Sequence, residues 1–166
     1  MAAWALKQRS GRAMSEKSAG ILAFRRTGQG PEFLLGHPGG PFWGRRDAGA
    51  WSIPKGLIAE GEEGLAAARR EFEEEVGQTI EGDFAPLAPL KQKSGKIVQA
   101  WMVEADLDLD GFHSTLFEME WPRGSGRVQT FPEIDRVAWF GPDEALIKIL
   151  PGQAGFIREA MARLDR

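Results

Sequence analysis

Between Glu60 and Glu75 the chain carries seven carboxylates, opposed only by Arg69 and Arg70. Three of them, Glu71, Glu74 and Glu75, stand at i, i+3 and i+4, which on a helix makes them neighbours on one face. Carboxylates placed in this way repel, each close pair costing about a few tenths of a kcal/mol on an exposed helix. They also crowd the last turn of a predicted helix, where the backbone dipole favours cations. A divalent cation removes both penalties, and a hard ion such as magnesium takes oxygen ligands of this kind. The competing reading is a solvated acidic face. Against it, all three lie beside the apolar stripe of the predicted helix and not opposite it.

The helix that must position them is predicted from about Glu62 to Val76. Its residues are mostly strong helix formers, with no proline and only Gly64 as a weak point. Leu65, Ala68, Phe72 and Val76 recur at helical spacing and predict a core-facing stripe. Glu62 and Glu63 are expected in the first turn, where the dipole favours negative charge. Gly77 is expected to end the helix in a left-handed conformation.

The spacing across this stretch is specific. Gly56 is followed after five residues by Glu62, and seven residues later comes Arg70-Glu71-Phe72-Glu73-Glu74-Glu75-Val76-Gly77-Gln78. This pattern resembles the Nudix box over 23 residues, with every fixed glycine, glutamate and arginine in place. Phe72 and Gln78 stand where the family carries aliphatic residues. The resemblance implies an α/β/α sandwich with a mixed β-sheet and a magnesium-dependent hydrolase, with manganese able to substitute. The reaction it implies is cleavage of a pyrophosphate bond in a nucleoside diphosphate linked to another moiety. Glu71, Glu74 and Glu75 become the expected metal ligands, with the backbone carbonyl of Lys55 completing the shell. Glu71, Glu74 and Glu133 compete for the role of general base, with Glu118 and Glu120 as rivals to Glu133. Gly56, Glu62, Arg70 and Gly77 are expected to support the site, Arg70 by pairing with a box carboxylate. The lead-in Trp51-Ser52-Ile53-Pro54-Lys55-Gly56 resembles the dinucleoside polyphosphate and diphosphoinositol hydrolase branch, which makes the Lys55 side chain a candidate phosphate contact.

Composition sets the wider limits. The 166 residues, 42% hydrophobic and 27% charged, suit one globular domain with a sizeable core. There is no cysteine, which excludes disulfides, thiolate metal sites and cysteine nucleophiles. No apolar run approaches the ~20 residues needed to span a bilayer, and a cytoplasmic protein is expected. The net charge of −3 hides a split. Residues 1–59 hold nine Lys/Arg against three Asp/Glu, whereas residues 60–75 hold two against seven. A basic segment feeding an acidic metal helix suits a small phosphate-rich substrate. Long nucleic acid is disfavoured, because no extended basic stripe or nucleic-acid motif is present. Between a monomer and a homodimer the sequence does not choose.

Residues 1–17 are expected to be a disordered extension, with Met14 as an alternative start, and residues 18–166 to form the Nudix domain. Strands are predicted over 18–25 and 32–36, turning at Gly28-Gln29-Gly30-Pro31. The stretch from His37 to Arg46 is too rich in glycine and proline to be regular. Within it, Phe42 and Trp43 offer aromatic faces for a base, and Arg45 and Arg46 offer charge for phosphate. The alternative is that the aromatics pin the loop and the arginines are solvated. His37 reads as a packed strand-end histidine or, more sharply, as a substrate contact. Further strands are predicted over 84–93, 96–106 and the end of 133–140. The segment 113–121 is ambiguous between helix and strand, and 122–132 reads as a mobile loop. Helices are expected from Pro142 to near Pro151 and through Phe156, Ile157, Ala160 and Leu164. Within the enzyme class the alternatives are a nucleoside triphosphate pyrophosphatase, an ADP-ribose or sugar-nucleotide hydrolase, and an enzyme of capped or 5′-triphosphate RNA. A nucleotide-binding regulator and a structural module are the other classes that fit, and both predict no hydrolysis in magnesium.

Overall fold

The computed structural model describes residues 16–166. The expected disorder of the first 17 residues therefore lies mostly outside the described part. Where it can be tested it is corrected, because Lys17 already pairs in a strand and the Glu16 carbonyl accepts the Ile97 N–H at 3.0 Å.

The central strand is β1 (Lys17–Thr27), whose alternating side chains feed two separate cores. Ala19, Ile21 and Ala23 point to one face, and Leu22 and Phe24 point to the other. A strand buried on both sides is what a sheet covered by helices on both faces requires. Three strands pair with it directly. An antiparallel hairpin leads to β2 (Gly30–Pro38), and the short β3 (Lys55–Leu57) pairs antiparallel with the first part of β1. On the other edge β6 (Ile97–Glu104) runs parallel to β1 over its whole length. β4 (Ala85–Pro86) and β5 (Leu90–Lys91) join β6, and β9 (Ile134–Phe140) closes the far edge beside β2. One long strand was expected where β4 and β5 stand. Pro86 and Pro89 interrupt it, since proline has no N–H to give to a ladder.

Helix α1 (Gly64–Val76) covers one face with Ala67, Ala68, Phe72 and Val76. Helices α2 (Pro142–Lys148) and α3 (Ala154–Leu164) cover the other with Ala145, Phe156, Ile157 and Ala160. The architecture is the expected α/β/α sandwich on a mixed sheet. Fully burying a residue such as Phe72 stabilises by about 1.5–3 kcal/mol. The ambiguous segment 113–121 resolves as strand β7 (Leu116–Glu120), and the predicted mobile loop contains β8 (Val128–Pro132). The two pair as a separate two-stranded sheet. Among the described residues no helix is long and apolar enough to cross a membrane.

The segment before β3 is pinned from three sides. Ser52 exchanges two backbone hydrogen bonds with Gly36, and Ile21 donates to the Pro54 carbonyl at 3.1 Å. The fully buried Gln153 accepts from the Ile53 N–H at 3.0 Å and donates to Ser52 Oγ at 3.0 Å. This segment crosses β1 at Gly20, where a Cβ would stand 2.8 Å from Ile53, from the Pro54 carbonyl oxygen and from Lys55. Gly20→Ala is expected to lower unfolding free energy by about 1–3 kcal/mol, the usual cost of overpacking. Urea unfolding at equilibrium reads this directly, and an unchanged midpoint would mean that the crossing tolerates a methyl group.

Candidate active site

Helix α1 begins at Gly64 with Glu63 as an extended cap residue, two residues later than expected. No acidic residue stands in its first turn, so the predicted dipole role of Glu62 and Glu63 is corrected. Glu62 instead turns back. Its Oε1 accepts the Ala59 N–H at 3.0 Å, and both its oxygens receive Arg70, at 2.8 and 2.9 Å. This ties the loop before the helix to the helix itself. Gly64, read as a weak point inside the helix, is its first residue.

At the other end Gly77 takes φ 80°, and its N–H donates to the Glu73 carbonyl at 2.8 Å. The neighbouring carbonyls are met by the chain that precedes β7. His113 N–H donates to Val76 at 3.1 Å and Thr115 N–H to Glu74 at 2.9 Å. Gln78, the polar departure from the family pattern, donates through Nε2 to the Asp108 carbonyl at 2.7 Å. A hydrogen bond there replaces apolar packing after the helix.

The three carboxylates occupy different depths. Glu71 is fully buried, Glu75 is nearly so, and Glu74 is half-buried. The core-facing stripe is therefore wider than Leu65, Ala68, Phe72 and Val76, and it includes two glutamates. Glu71 lies against Gly56, where any Cβ would overlap its carboxylate. Only glycine at position 56 permits that approach. Glu75 Oε2 accepts the backbone N–H of Lys55 at 3.0 Å, which locks the basic lead-in onto the acidic helix.

Arg70 joins the set. Its Nη1 reaches Glu71 at 3.0 Å and Glu74 at 3.1 Å, and its Nη2 reaches the Leu57 carbonyl at 3.1 Å. The hydrogen bond to Glu62 is the largest of the influences that hold the guanidinium above its ordinary pKa, followed by the charge of Glu71 against the effect of burial. The same hydrogen bond holds the Glu62 carboxyl below its usual range.

A cleft of about 420 Å³ opens beside this helix. Glu75, Lys55, Gly56 and Glu133 line it together with Trp43, on the loop after β2. Glu133 is placed by a short relay, its N–H donating to Thr115 at 2.9 Å, while Thr115 is itself bound to Glu74. Glu118 and Glu120 are exposed on β7 and do not line the cleft. The cleft also contains two charged residues that sequence reading missed, Glu16 and Lys96. Their signal lies only in the β1–β6 register, since each immediately precedes the Lys17–Ile97 pair.

The other predicted substrate contacts divide. The Trp43 ring carries the Arg46 guanidinium at 5.4 Å, so Arg46 meets the cleft only through that ring. Arg45 is exposed and away from the cleft. Phe42, 52% exposed, packs edge-on against Trp121. The sharper reading of His37 is corrected. Its ring is buried, with Nδ1 at 2.8 Å from Asp135 and Nε2 at 2.6 Å from the Arg46 carbonyl, and it serves to hold the loop.

The carboxylates were tested against the magnesium that the motif implies. Among the described residues no three Asp, Glu or His side chains converge as a closed cage. Magnesium in phosphate chemistry does not need one, because it binds through one or two carboxylates, waters and substrate phosphates. The donors here are all oxygens, and Glu75 opens directly onto the cleft, so the residues fit the ion.

An acidic helix packed against a mixed sheet, with one of its carboxylates, Glu75, lining a cleft, defines a class of phosphate-handling α/β/α proteins. The chain belongs to the NUDIX domain family, whose model matches residues 14–160. Solved structures agree on the fold. An Ap4A hydrolase from C. elegans in a binary complex superposes with TM-score 0.62 at 24% identity, covering 89% of this chain and 98% of that one. A mutT/nudix family protein from Listeria innocua gives 0.63 at 18%, covering 93% and 96%. The NUDIX domain of Shewanella oneidensis NrtR, complexed with ADP ribose, gives 0.62 at 16%, covering 94% and 92%. A search of curated proteins returns no match.

The Glu62–Arg70 pair makes a pH-dependent contribution whose sign is fixed. A carboxyl whose pKa is lowered by folding stabilises above its unfolded value, about 4.3, and loses that contribution as pH falls through the folded value. Wild type is therefore expected to exceed Glu62→Gln in denaturant midpoint by a constant margin near neutrality. That margin should shrink below about pH 4. A margin that instead grows on acidification would contradict the pairing.

Proposed function

We propose that this chain is a magnesium-dependent pyrophosphohydrolase that cleaves nucleoside polyphosphates or dinucleoside polyphosphates by attack of water at phosphorus. The observation that carries this reading is the Lys55 N–H bond to Glu75, which joins a phosphate-seeking segment to the acidic helix inside one cleft. The dinucleoside branch is favoured by Trp51-Ser52-Ile53-Pro54-Lys55-Gly56, and an Ap4A hydrolase is among the proteins of like fold. A cytoplasmic location goes with the reading.

The motif assigns magnesium to Glu71, Glu74, Glu75 and the Lys55 carbonyl, and of these carboxylates Glu75 opens onto the cleft. An ion held there would neutralise the diphosphate and make water a stronger nucleophile. The chain's own residues do the rest. Lys55 and Lys96 bring two ammonium groups to the cleft, where they attract and orient phosphate oxygens. Among the three candidate bases, Glu133 is the best placed to take the proton of the attacking water. It lines the cleft, whereas Glu71 lies buried under Gly56 and Glu74 is held by Arg70. Arg70 fixes Glu71 and Glu74 in place through its Nη1. Trp43 offers a flat surface to a base.

Three measurements test this. Glu75→Gln is expected to lower kcat by at least about a hundredfold with the fold retained, and near-normal turnover would remove Glu75 from the machinery. Chelation should abolish activity, with magnesium or manganese restoring it, while a protein equally active in excess chelator would sink the metal reading. For Glu133→Gln, the acidic limb of the kcat/KM pH profile should disappear together with about a hundredfold of rate. An unchanged limb would return the base role to Glu71 or Glu74.

A further inference from the structure

Glu16 falls outside the site that the sequence predicts, yet it lines the cleft. Its backbone is fixed, because its carbonyl accepts the Ile97 N–H at 3.0 Å and continues the parallel β1–β6 ladder by one residue. Its side-chain Oε1 is buried and, among the described residues, has no hydrogen-bond partner. A buried carboxylate oxygen left in this way carries a desolvation penalty that a donor would remove. In a substrate cleft, the missing donor points to the ligand.

That donor is not a phosphate. The oxygens of an ionised polyphosphate only accept hydrogen bonds, and their charge is repelled by a carboxylate. The non-phosphate part of the ligand must therefore face Glu16. A nucleoside offers two kinds of donor, the ribose hydroxyls and the exocyclic amine of the base. Trp43 lines the same cleft and provides an aromatic face of the kind on which bases stack.

We propose that Glu16 is a specificity-determining residue that accepts a hydrogen bond from the nucleoside of the substrate, through a ribose hydroxyl or an exocyclic amine. The inference rests on the pyrophosphohydrolase reading and adds what the cleft recognises beyond the reacting phosphates. A site built to meet a donor discriminates strongly against analogues that lack it, because its own acceptor is then left unpaired. The cleft accordingly prefers nucleoside-bearing pyrophosphates to those without a nucleoside.

The test compares wild type, Glu16→Ala and Glu16→Gln on diadenosine tetraphosphate and ATP, with inorganic tripolyphosphate as a competing inhibitor. Glu16→Ala should lower kcat/KM for the adenosine substrates roughly ten- to a hundredfold, the range for a hydrogen bond to a charged group. The inhibition constant of tripolyphosphate should stay within about twofold, since the lost contact is to the nucleoside. Glu16→Gln keeps an acceptor oxygen in the same shape, so it should recover part of the loss. It also serves if the alanine variant fails to fold. Comparing ATP with ITP, and with 2′-deoxy-ATP and 3′-deoxy-ATP, identifies the donor, because the Glu16→Ala effect vanishes for the analogue that lacks it.

Equal losses for adenosine substrates and tripolyphosphate would overturn the proposal and make Glu16 a structural residue. No loss on any substrate, or an effect that survives in every analogue, would overturn it as well. Calorimetric binding of ATP to the same variants separates the two levels of inference. A wild type that hydrolyses no pyrophosphate in magnesium, yet binds ATP through Glu16, would defeat the reaction and keep the contact.

Discussion

The arrangement around Arg70 is the constraint on which the site depends. A carboxylate as buried as Glu71 is costly unless it is paired, and removing one partner of a buried pair leaves an uncompensated charge. Arg70 answers for Glu71 and does so while also holding Glu74, both oxygens of Glu62 and the Leu57 carbonyl. A guanidinium suits this because its five N–H donors are fixed in a planar fork that reaches several acceptors at once. A lysine would offer one point charge and no such geometry. The repulsion that makes three glutamates at i, i+3 and i+4 a poor helical surface is thus offset from within the same helix, one residue before the first of them. The unfavourable end of the helix dipole is covered too, since the N–H groups of His113 and Thr115 take up carbonyls of the last turn.

Those contacts fix the helix, but the cleft exists because β1 has two edges. β3 pairs along one edge and brings Lys55 opposite Gly20, while β6 pairs along the other and brings Ile97 opposite Lys17. Residues far apart in the chain, Glu16, Lys55 and Lys96, reach one cleft as a consequence of that register. Strand pairing fixes such placements firmly, because a slip of one residue would move every side chain of β1 from one core to the other. The crossing at Gly20 and the buried Gln153 hold the lead-in to β3 between these edges, so the Lys55 N–H meets Glu75 without a flexible loop intervening.

What could be read from the sequence follows from the range of the interactions. The box was legible because its logic is local. Helical spacing places Phe72 and Val76 toward the core, and Gly77 ends the helix, within one short stretch. Glu133 was reachable only through the family pattern, and the relay through Thr115 that positions it has no local signature. His37 stayed open between a packed histidine and a substrate contact because one of its partners, Asp135, comes from a strand distant in sequence and the other, the Arg46 carbonyl, from an irregular loop. The N-terminus of α1 was misplaced because Glu62 prefers Arg70 to the helix dipole. Glu16 and Lys96 could not be found at all without the parallel register, since isolated charged residues beside a strand look like solvated ones. The β7–β8 hairpin was obscured by the glycine and proline content of the turn between its strands.

The balance of charge in the cleft gives the arrangement a further consequence. Three acidic residues, Glu16, Glu75 and Glu133, and two lysines, Lys55 and Lys96, line the same space. A polyphosphate entering it meets more negative than positive charge from the protein alone, and such repulsion grows where the surroundings exclude water. A divalent cation reverses that balance, so the affinity of the cleft for a polyphosphate must rise when the cation is present. By thermodynamic reciprocity the polyphosphate raises the affinity for the cation by the same factor. On the proposed reading metal and substrate are recognised together, because the carboxylates that repel a polyphosphate attract the cation that would hold it.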